Sequence, residues 1–389
     1  MSESFTKVVH QGYGNRVGKS FGGIIAGLIL FIAAFPFLFW NEGRAVKMHK
    51  SLEEGSNAVI SVDANQINPD HEGDLIHITG KANTLDVLDD NQFGVSEIAI
   101  KLIRNVEMYQ WTETQKSETK ENLGGGSDTE IVYTYDEEWS DELIDSSNFE
   151  YPANHVNPES FPFEKQEYFA ENVTVGAFAL SPSLIKKIGG EKNLAMDESN
   201  IPFLNEEDQK KAKIQNGYLY IGDPAKPQIG DVRIKFSIIK PVTVSIVAVQ
   251  RDNSFIPYQA KAGNAIELLS MGGISADEMF QEAISANHAL TWILRVMGIL
   301  MIFIGLAIML KPLSVLGSLV PFLGRAIGMG TGILAFLLSI VFSFITIAVA
   351  WLYYRPLLSI ILIAIAVAGT TYIVTYIKKN KAQPQPQNV

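Results

Sequence analysis

The chain has 389 residues, a formal net charge of −11, 47% hydrophobic residues and no cysteine. Without thiols it can hold neither disulfides nor thiolate metal sites, and an extracytoplasmic stretch of about 250 residues buries enough apolar surface to fold without such staples. Charge is strongly partitioned: 21 of the 31 Lys and Arg, and 41 of the 42 Asp and Glu, lie between Asn41 and Ala289, so that stretch carries −20 and the remainder +9.

In chain order, residues 1–20 form a short basic segment with Lys7, Arg16 and Lys19, followed by an apolar run over 21–40. About 20 apolar residues suffice to cross the hydrocarbon core, so this run reads as a first transmembrane helix. It is too long for a cleavable signal and ends in Trp40-Asn41-Glu42-Gly43-Arg44, which argues for a retained anchor. Three further runs follow the acidic stretch, at 290–310, 330–353 and 357–377, with Arg295 the charge inside the second. A charge near the end of a span snorkels to the headgroups at modest cost. The flanks fix an orientation. Lys7, Arg16, Lys19, Lys311, Arg325, Lys378, Lys379 and Lys381 fall on one side and Arg355 on the other. The positive-inside rule then places the 1–20 segment, the 311–329 loop and the 378–389 tail in the cytoplasm, and the 41–289 domain in the periplasm or lumen.

The acidic domain reads as α+β and mainly antiparallel β. Segments rich in β-branched and aromatic residues recur at 57–62, 74–80, 98–111, 130–139, 218–222, 231–239, 242–250 and 265–269. Helix is expected at 182–188 and 206–214. Thr112 to Asp128 is polar and ends in Gly124-Gly125-Gly126, so it reads as a long flexible hairpin tip. Ser275-Ala276-Asp277-Glu278 fits a capping box, in which Ser and Glu satisfy free amides at a helix start. A helix from Ala276 through Leu310 would extend about 52 Å at 1.5 Å per residue, longer than the hydrocarbon core. Small residues recur every fourth position at Gly18, Gly22 and Ala26, at Gly23 and Gly27, and at Gly324, Gly328 and Gly332. Such rows let helix backbones approach closely in lipid, either within the bundle or between copies. The 311–329 loop, mostly apolar with Pro312 and Pro321, reads as lying in the membrane interface.

Motifs of catalysis are absent. Gly18-Lys19-Ser20 resembles the end of a phosphate loop, but Tyr13 stands where that loop requires glycine. The six histidines include no metal-binding pair at helical spacing, although His71 and His77 flank Asp74. No catalytic residue, metal, cofactor or nucleic-acid partner is expected.

Several segments carry a resemblance: Phe39-Trp40-Asn41-Glu42-Gly43-Arg44-Ala45, Ser51-Leu52-Glu53-Glu54-Gly55, Val106-Glu107-Met108-Tyr109-Gln110-Trp111, His155-Val156-Asn157-Pro158, Gly230-Asp231-Val232-Arg233 and Trp351-Leu352-Tyr353-Tyr354-Arg355-Pro356-Leu357. In this order they resemble the LUMA (transmembrane protein 43) family over roughly residues 15 to 377. The resemblance implies four spans, a large lumenal domain and a part in membrane organisation. For animal members it also implies the endoplasmic reticulum and inner nuclear membrane, with emerin and lamins as partners. The lack of cysteine and the short Pro-Gln tail point to a bacterial member in an inner membrane.

The four expected spans bring Trp40, Glu42 and Arg44, Trp292 and Arg295, and Trp351, Tyr354 and Arg355 to one depth beside the domain. An aromatic belt with snorkelling arginines has this composition. So does a binding site for an anionic lipid headgroup, because guanidinium forks suit phosphate oxygens. The leading expectation is a non-enzymatic protein that organises membrane or protein assemblies through its domain and lateral self-association. The alternative is a lipid-binding or lipid-modifying protein with its site where domain and membrane meet, and a transporter ranks third, since no span carries a central acid or base.

Overall fold

The computed structural model describes residues 3–357, 359–361 and 371. Its elements are, in order, β1 (Glu3–Gln11), α1 (Tyr13–Ala58), β2 (Ile60–Ser61), β3 (Leu75–Asn83), β4 (Val87–Asp90), β5 (Val95–Ile98), β6 (Lys101–Glu121), β7 (Ser127–Ser140), β8 (Gln166–Phe169), β9 (Thr174–Val175), β10 (Phe178–Ala179), α2 (Pro182–Lys187), β11 (Lys192–Leu194), α3 (Glu206–Lys211), β12 (Ala212–Gln215), β13 (Tyr218–Ile221), β14 (Val232–Ile239), β15 (Val242–Arg251), β16 (Ser254–Ile256), β17 (Tyr258–Gln259), β18 (Ala265–Ile266), β19 (Leu268–Met271), α4 (Ala276–Gly317) and α5 (Pro321–Tyr354). They divide into two compact units. One holds residues 1–10, 51–120 and 128–283; the other holds 11–50, 121–127 and 284–389.

The first unit is built on two sheets. The larger runs β1-β7-β6-β14-β13-β12, with β8 on β6 and β11 on β14. The smaller runs β10-β9-β3-β15-β16, with β19 on β15 and β2 on β3. β6 with β14 and β3 with β15 pair antiparallel, whereas the short β2 runs parallel to β3. Alternating apolar side chains of both sheets, among them Ile76, Ile78, Leu102, Met108, Phe236 and Ile246, enter one buried cluster that α2 covers with Leu184 and Ile185. Arg104, buried on β6, pairs with Asp90 at 2.9 Å and lies over the Phe93 ring, so its charge is met within that core. The capping box forms as expected: Ser275 Oγ accepts from the Glu278 amide, and the Glu278 carboxylate accepts from the Ser275 amide.

The second unit contains helices. Gly27 and Gly305 let α1 and α4 touch backbone to backbone, since a Cβ on Gly27 would stand 2.8 Å from Gly305 O and one on Gly305 would stand 2.8 Å from Gly27 O. Gly298 likewise receives Leu38. Ala34, Leu38, Ile302, Leu306 and Ala335 form the buried centre of the three-helix contact. Outward side chains such as Ile25, Ile29, Phe336 and Phe344 are exposed.

Several sequence expectations change. The segment expected as a 311–329 interfacial loop is helical except for Ser318–Val320: α4 continues through Pro312, and Pro321 opens α5 at the first helical position, where its missing N–H costs nothing. The strand expected over 57–62 is the end of α1 plus the two-residue β2, and 212–214 leaves the expected second helix for β12. The flexible tip shrinks as well. β6 and β7 form a ribbon up to Glu121 and Ser127, because threonines and charged residues on a two-stranded ribbon can face water on both sides. Gly124 and Gly125 close it at φ +90° and +81°, values that favour glycine. His71 lies in a turn, 3.2 Å from Asp74, whereas His77 lies on β3 and bonds Ser61 and the Ile274 carbonyl oxygen; they form no joint site.

The termini differ too. Residues 1–20 were expected as a segment across the membrane from the domain, yet Glu3–Gln11 is an edge strand of the larger sheet and α1 begins at Tyr13. Within the helical unit Arg16 donates to Glu121 Oε1 at 2.6 Å and to the Gly125 carbonyl at 2.7 Å, while the Gly124 amide reaches the Leu319 carbonyl. The N-terminal end of α1, the ribbon tip and the α4–α5 turn thus meet, where the sequence reading put the tip on the opposite membrane face. The expected fourth span, 357–377, lies outside the described residues apart from 357, 359–361 and 371, as does the tail.

Candidate functional site

Three helices of the second unit bring polar residues together at one level. On α1, Asn41, Glu42, Arg44 and Ala45 fall within little more than one turn. On α4, Asn287, Thr291 and Arg295 follow at intervals of four and so share a face. Trp351 and Arg355 repeat that interval at the end of α5. Gly43 allows the close approach: a Cβ there would stand 2.5 Å from the Tyr354 ring.

Glu42 is the centre. Only 2% exposed, it accepts from Arg295 Nε at 2.6 Å and Nη2 at 2.8 Å, and from Trp351 Nε1 at 2.8 Å. The fork geometry and the third donor satisfy both carboxylate oxygens, which a buried ion pair needs in order to offset its desolvation. The Arg295 guanidinium also lies 4.8 Å from the Trp292 ring centroid and 5.9 Å from that of Trp351. Arg295 is therefore less available as a cation than the sequence suggested.

Arg44 has no such partner. It donates to Asn287 Oδ1 and Thr291 Oγ1, both at 3.0 Å, and its Nε is buried without a hydrogen-bond partner. Thr291 passes the chain on to the Asn287 carbonyl, Asn41 donates to the Thr291 carbonyl, and Asn287 donates to that of Ala45. These are neutral acceptors, so the Arg44 charge remains uncompensated by direct contact. Arg355 forms no ion pair with any described residue.

A cavity of about 140 Å³ opens among these groups, lined by Glu42, Ala45, His49, Asn287, His288, Thr291, Trp292, Arg295, Trp351 and Arg355. It has room for one tetrahedral oxyanion. An apolar groove of about 370 Å³ shares Trp292, Arg295 and Trp351 with it and continues along Ile299, Ser343, Phe344, Ile347 and Ala348. Ser343 is buried there with its hydroxyl unpartnered.

Of the eight residues picked from sequence, Glu42, Trp292, Arg295, Trp351 and Arg355 line the cavity and Arg44 backs it. Trp40 does not join them: it is exposed, with its ring 6.1 Å from Phe37. Tyr354 instead packs on Phe39 and over Gly43. Asn41, His49, Asn287, His288 and Thr291 were missed, although the 287, 291, 295 spacing was a usable signal. The glycine rows divide. Gly23 and Gly27 face Ile308, and Gly324 and Gly328 face Ser318 and Ser314, whereas a Cβ on Gly18, Gly22 or Gly332 would meet nothing within 4 Å.

The profile of the family described as Transmembrane protein 43 matches residues 108–356. Human Transmembrane protein 43 is 33% identical over 368 residues, covering 91% of this chain and 90% of the human protein. The chain belongs to the transmembrane protein 43 family. The mouse protein of that name is 34% identical over 365 residues, covering 90% and 89%, and the Drosophila melanogaster homolog is 30% identical over 344 residues, covering 85% and 89%. No solved structure matches the chain. With its family, the chain is an integral membrane protein. Three of its helices, Tyr13–Ala58, Ala276–Gly317 and Phe322–Tyr354, are long and apolar enough to cross a membrane.

Proposed function

We propose that this member of the family binds an anionic membrane lipid, with the headgroup in the cavity beside Arg44 and Arg355 and an acyl chain in the groove. The observation that supports the reading is the union of the two spaces at Trp292, Arg295 and Trp351: a cationic pocket continued by an apolar one matches an amphiphile. Lipid held there would tie α1, α4 and α5 together. The protein would then organise its surrounding membrane without catalysis, with its domain on the extracytoplasmic side and α1 crossing the bilayer.

Mass spectrometry of lipid retained through purification tests this. Replacing Arg355 and Arg44 by Gln should deplete bound anionic lipid at least several-fold, while Ala348→Phe should block the chain and spare binding of free inorganic phosphate. Unchanged anionic lipid in both variants overturns the proposal, and loss of phosphate but not of lipid would reduce the cavity to a simple anion site.

A further inference from the structure

Charge around the cavity balances in only one place. Glu42 and Arg295 cancel each other in their fork, and among the described residues no other carboxylate lines the wall. Arg355 lines it without an ion pair, and Arg44 stands behind it on neutral acceptors. Two guanidinium charges are thus left around a space that holds one small anion.

Most hydrogen-bond donors of the wall are already engaged. Asn287 and Thr291 donate to the Ala45 and Asn287 carbonyls, and the Trp351 indole donates to Glu42. His49 differs from them. It follows Glu42 and Ala45 on α1 at intervals of three and four, which puts all three on one helix face, and it lines the same cavity. Its Nδ1 is buried without a hydrogen-bond partner. The His288 ring on α4 meets it edge-on, with centroids 6.0 Å apart, and so braces its orientation. A buried polar atom left unpaired carries the full cost of its desolvation, and in a cavity wall a ligand oxygen can relieve that cost. With its proton on Nδ1, the ring is a donor to such an oxygen.

The two forms of lipid phosphate differ in charge and in free oxygens. A diester, with a further group on the phosphate, carries a single negative charge and two terminal oxygens. A monoester carries about −1.5 to −2 near neutral pH and offers three terminal acceptors. Two uncompensated guanidinium charges match the monoester. The Arg355 fork can engage two of its oxygens, which leaves the third for His49 Nδ1.

We propose that the cavity selects a lipid whose headgroup is a terminal phosphomonoester, and that His49 determines this specificity by donating to the oxygen that a diester has capped. This rests on the lipid reading above and names the class of headgroup. The acyl chain keeps its place in the groove, so the lipid leaves the cavity past Trp292 and Trp351.

The test compares dioleoyl phosphatidic acid with dioleoyl phosphatidylmethanol, which differs from it by a methyl on one phosphate oxygen. Native mass spectrometry of the delipidated full-length protein in detergent reads both affinities. Phosphatidic acid should bind about tenfold more tightly or better, the worth of one hydrogen bond to a charged group. His49→Phe keeps a ring without nitrogens and should erase most of that preference while phosphatidylmethanol binding holds. His49→Gln, which returns an N–H donor, should restore part of it. Equal affinity of the wild type for the two lipids overturns the proposal and requires no variant to fold. If that shared binding is still lost in Arg44→Gln/Arg355→Gln, the lipid reading stands without the monoester. A preference untouched by His49→Phe overturns the assignment of His49, and binding of neither lipid overturns both readings. Glycerol 3-phosphate that displaces phosphatidic acid and binds equally well to Ala348→Phe would give the cavity to a soluble phosphomonoester and overturn the lipid.

Discussion

Replacing Glu42 by Gln tests whether the helices converge on a buried ion pair. The substitution keeps shape and one acceptor but removes the charge that meets Arg295 Nε, Arg295 Nη2 and Trp351 Nε1. Removing one partner of a buried pair costs about 3–5 kcal/mol, because the other charge is left uncompensated. The Arg295 side chain is 14% exposed and retains two indole rings, which places the expected loss at the lower end, about 3 kcal/mol. For a cooperative unit of roughly 150–250 residues this lowers Tm by about 6–12 °C. Thermal unfolding in detergent, followed by intrinsic tryptophan fluorescence, reads it directly, since Trp292 and Trp351 border the pair. Adding Arg295→Met should recover most of the loss, because an apolar side chain leaves no unpaired charge. A Glu42→Gln protein melting within about 2 °C of wild type, a shift worth less than about 1 kcal/mol for such a unit, would refute the reasoning. So would a double variant no more stable than the single one.

The glycine rows should respond unequally: Gly27→Leu, which drives a side chain into Gly305 O, should destabilise the bundle and shrink the folded fraction on size exclusion, while Gly22→Leu should leave monomer stability unchanged. If Gly22→Leu lowers the particle mass instead, that face is a contact between copies. In the core of the first unit, Asp90→Asn strands the Arg104 charge and should cost about 3 kcal/mol in denaturant unfolding; an unchanged midpoint would show the pair to be dispensable. Hydrogen bonds from Asn172, its backbone amide foremost, hold the Asp86 carboxyl below the ordinary 3.8. Its stabilising contribution is therefore complete above that value and lost as the pH falls through and below it. Asp86→Asn should flatten the acid side of the stability profile, and an identical profile would count against that role.

Much of this was legible because it rests on local rules. The three described apolar runs, the Ser275 to Glu278 cap and the strand-rich domain follow from run length, capping chemistry and β-branched composition. So does the clustering of Glu42, Arg295 and Arg355, which depends on where each helix emerges. What stayed hidden depended on long-range partners. Lys7 counts as a basic flank by charge alone, and only its pairing with Glu150 reveals a strand. Pro312 and Pro321 read as breakers, whereas the second sits where a helix needs no amide donor. The Thr112 to Glu121 segment lacks an apolar face, so nothing local told a ribbon from a loop. Asn287 and Thr291 are ordinary near a helix entrance until Arg44 is set against them.

Gly43 gives the cavity a point of control that its lining does not reveal. The Tyr354 ring fills the space that a side chain at 43 would need, and Trp351 and Arg355 belong to the same turn. A single methyl at this position would meet the far end of the Tyr354 side chain, so that ring has to swing aside for α1 and the last turn of α5 to stay in contact, while every residue that lines the cavity keeps its identity. Substitution at position 43 would thus probe how closely α1 and α5 must approach without altering any side chain of the cavity wall.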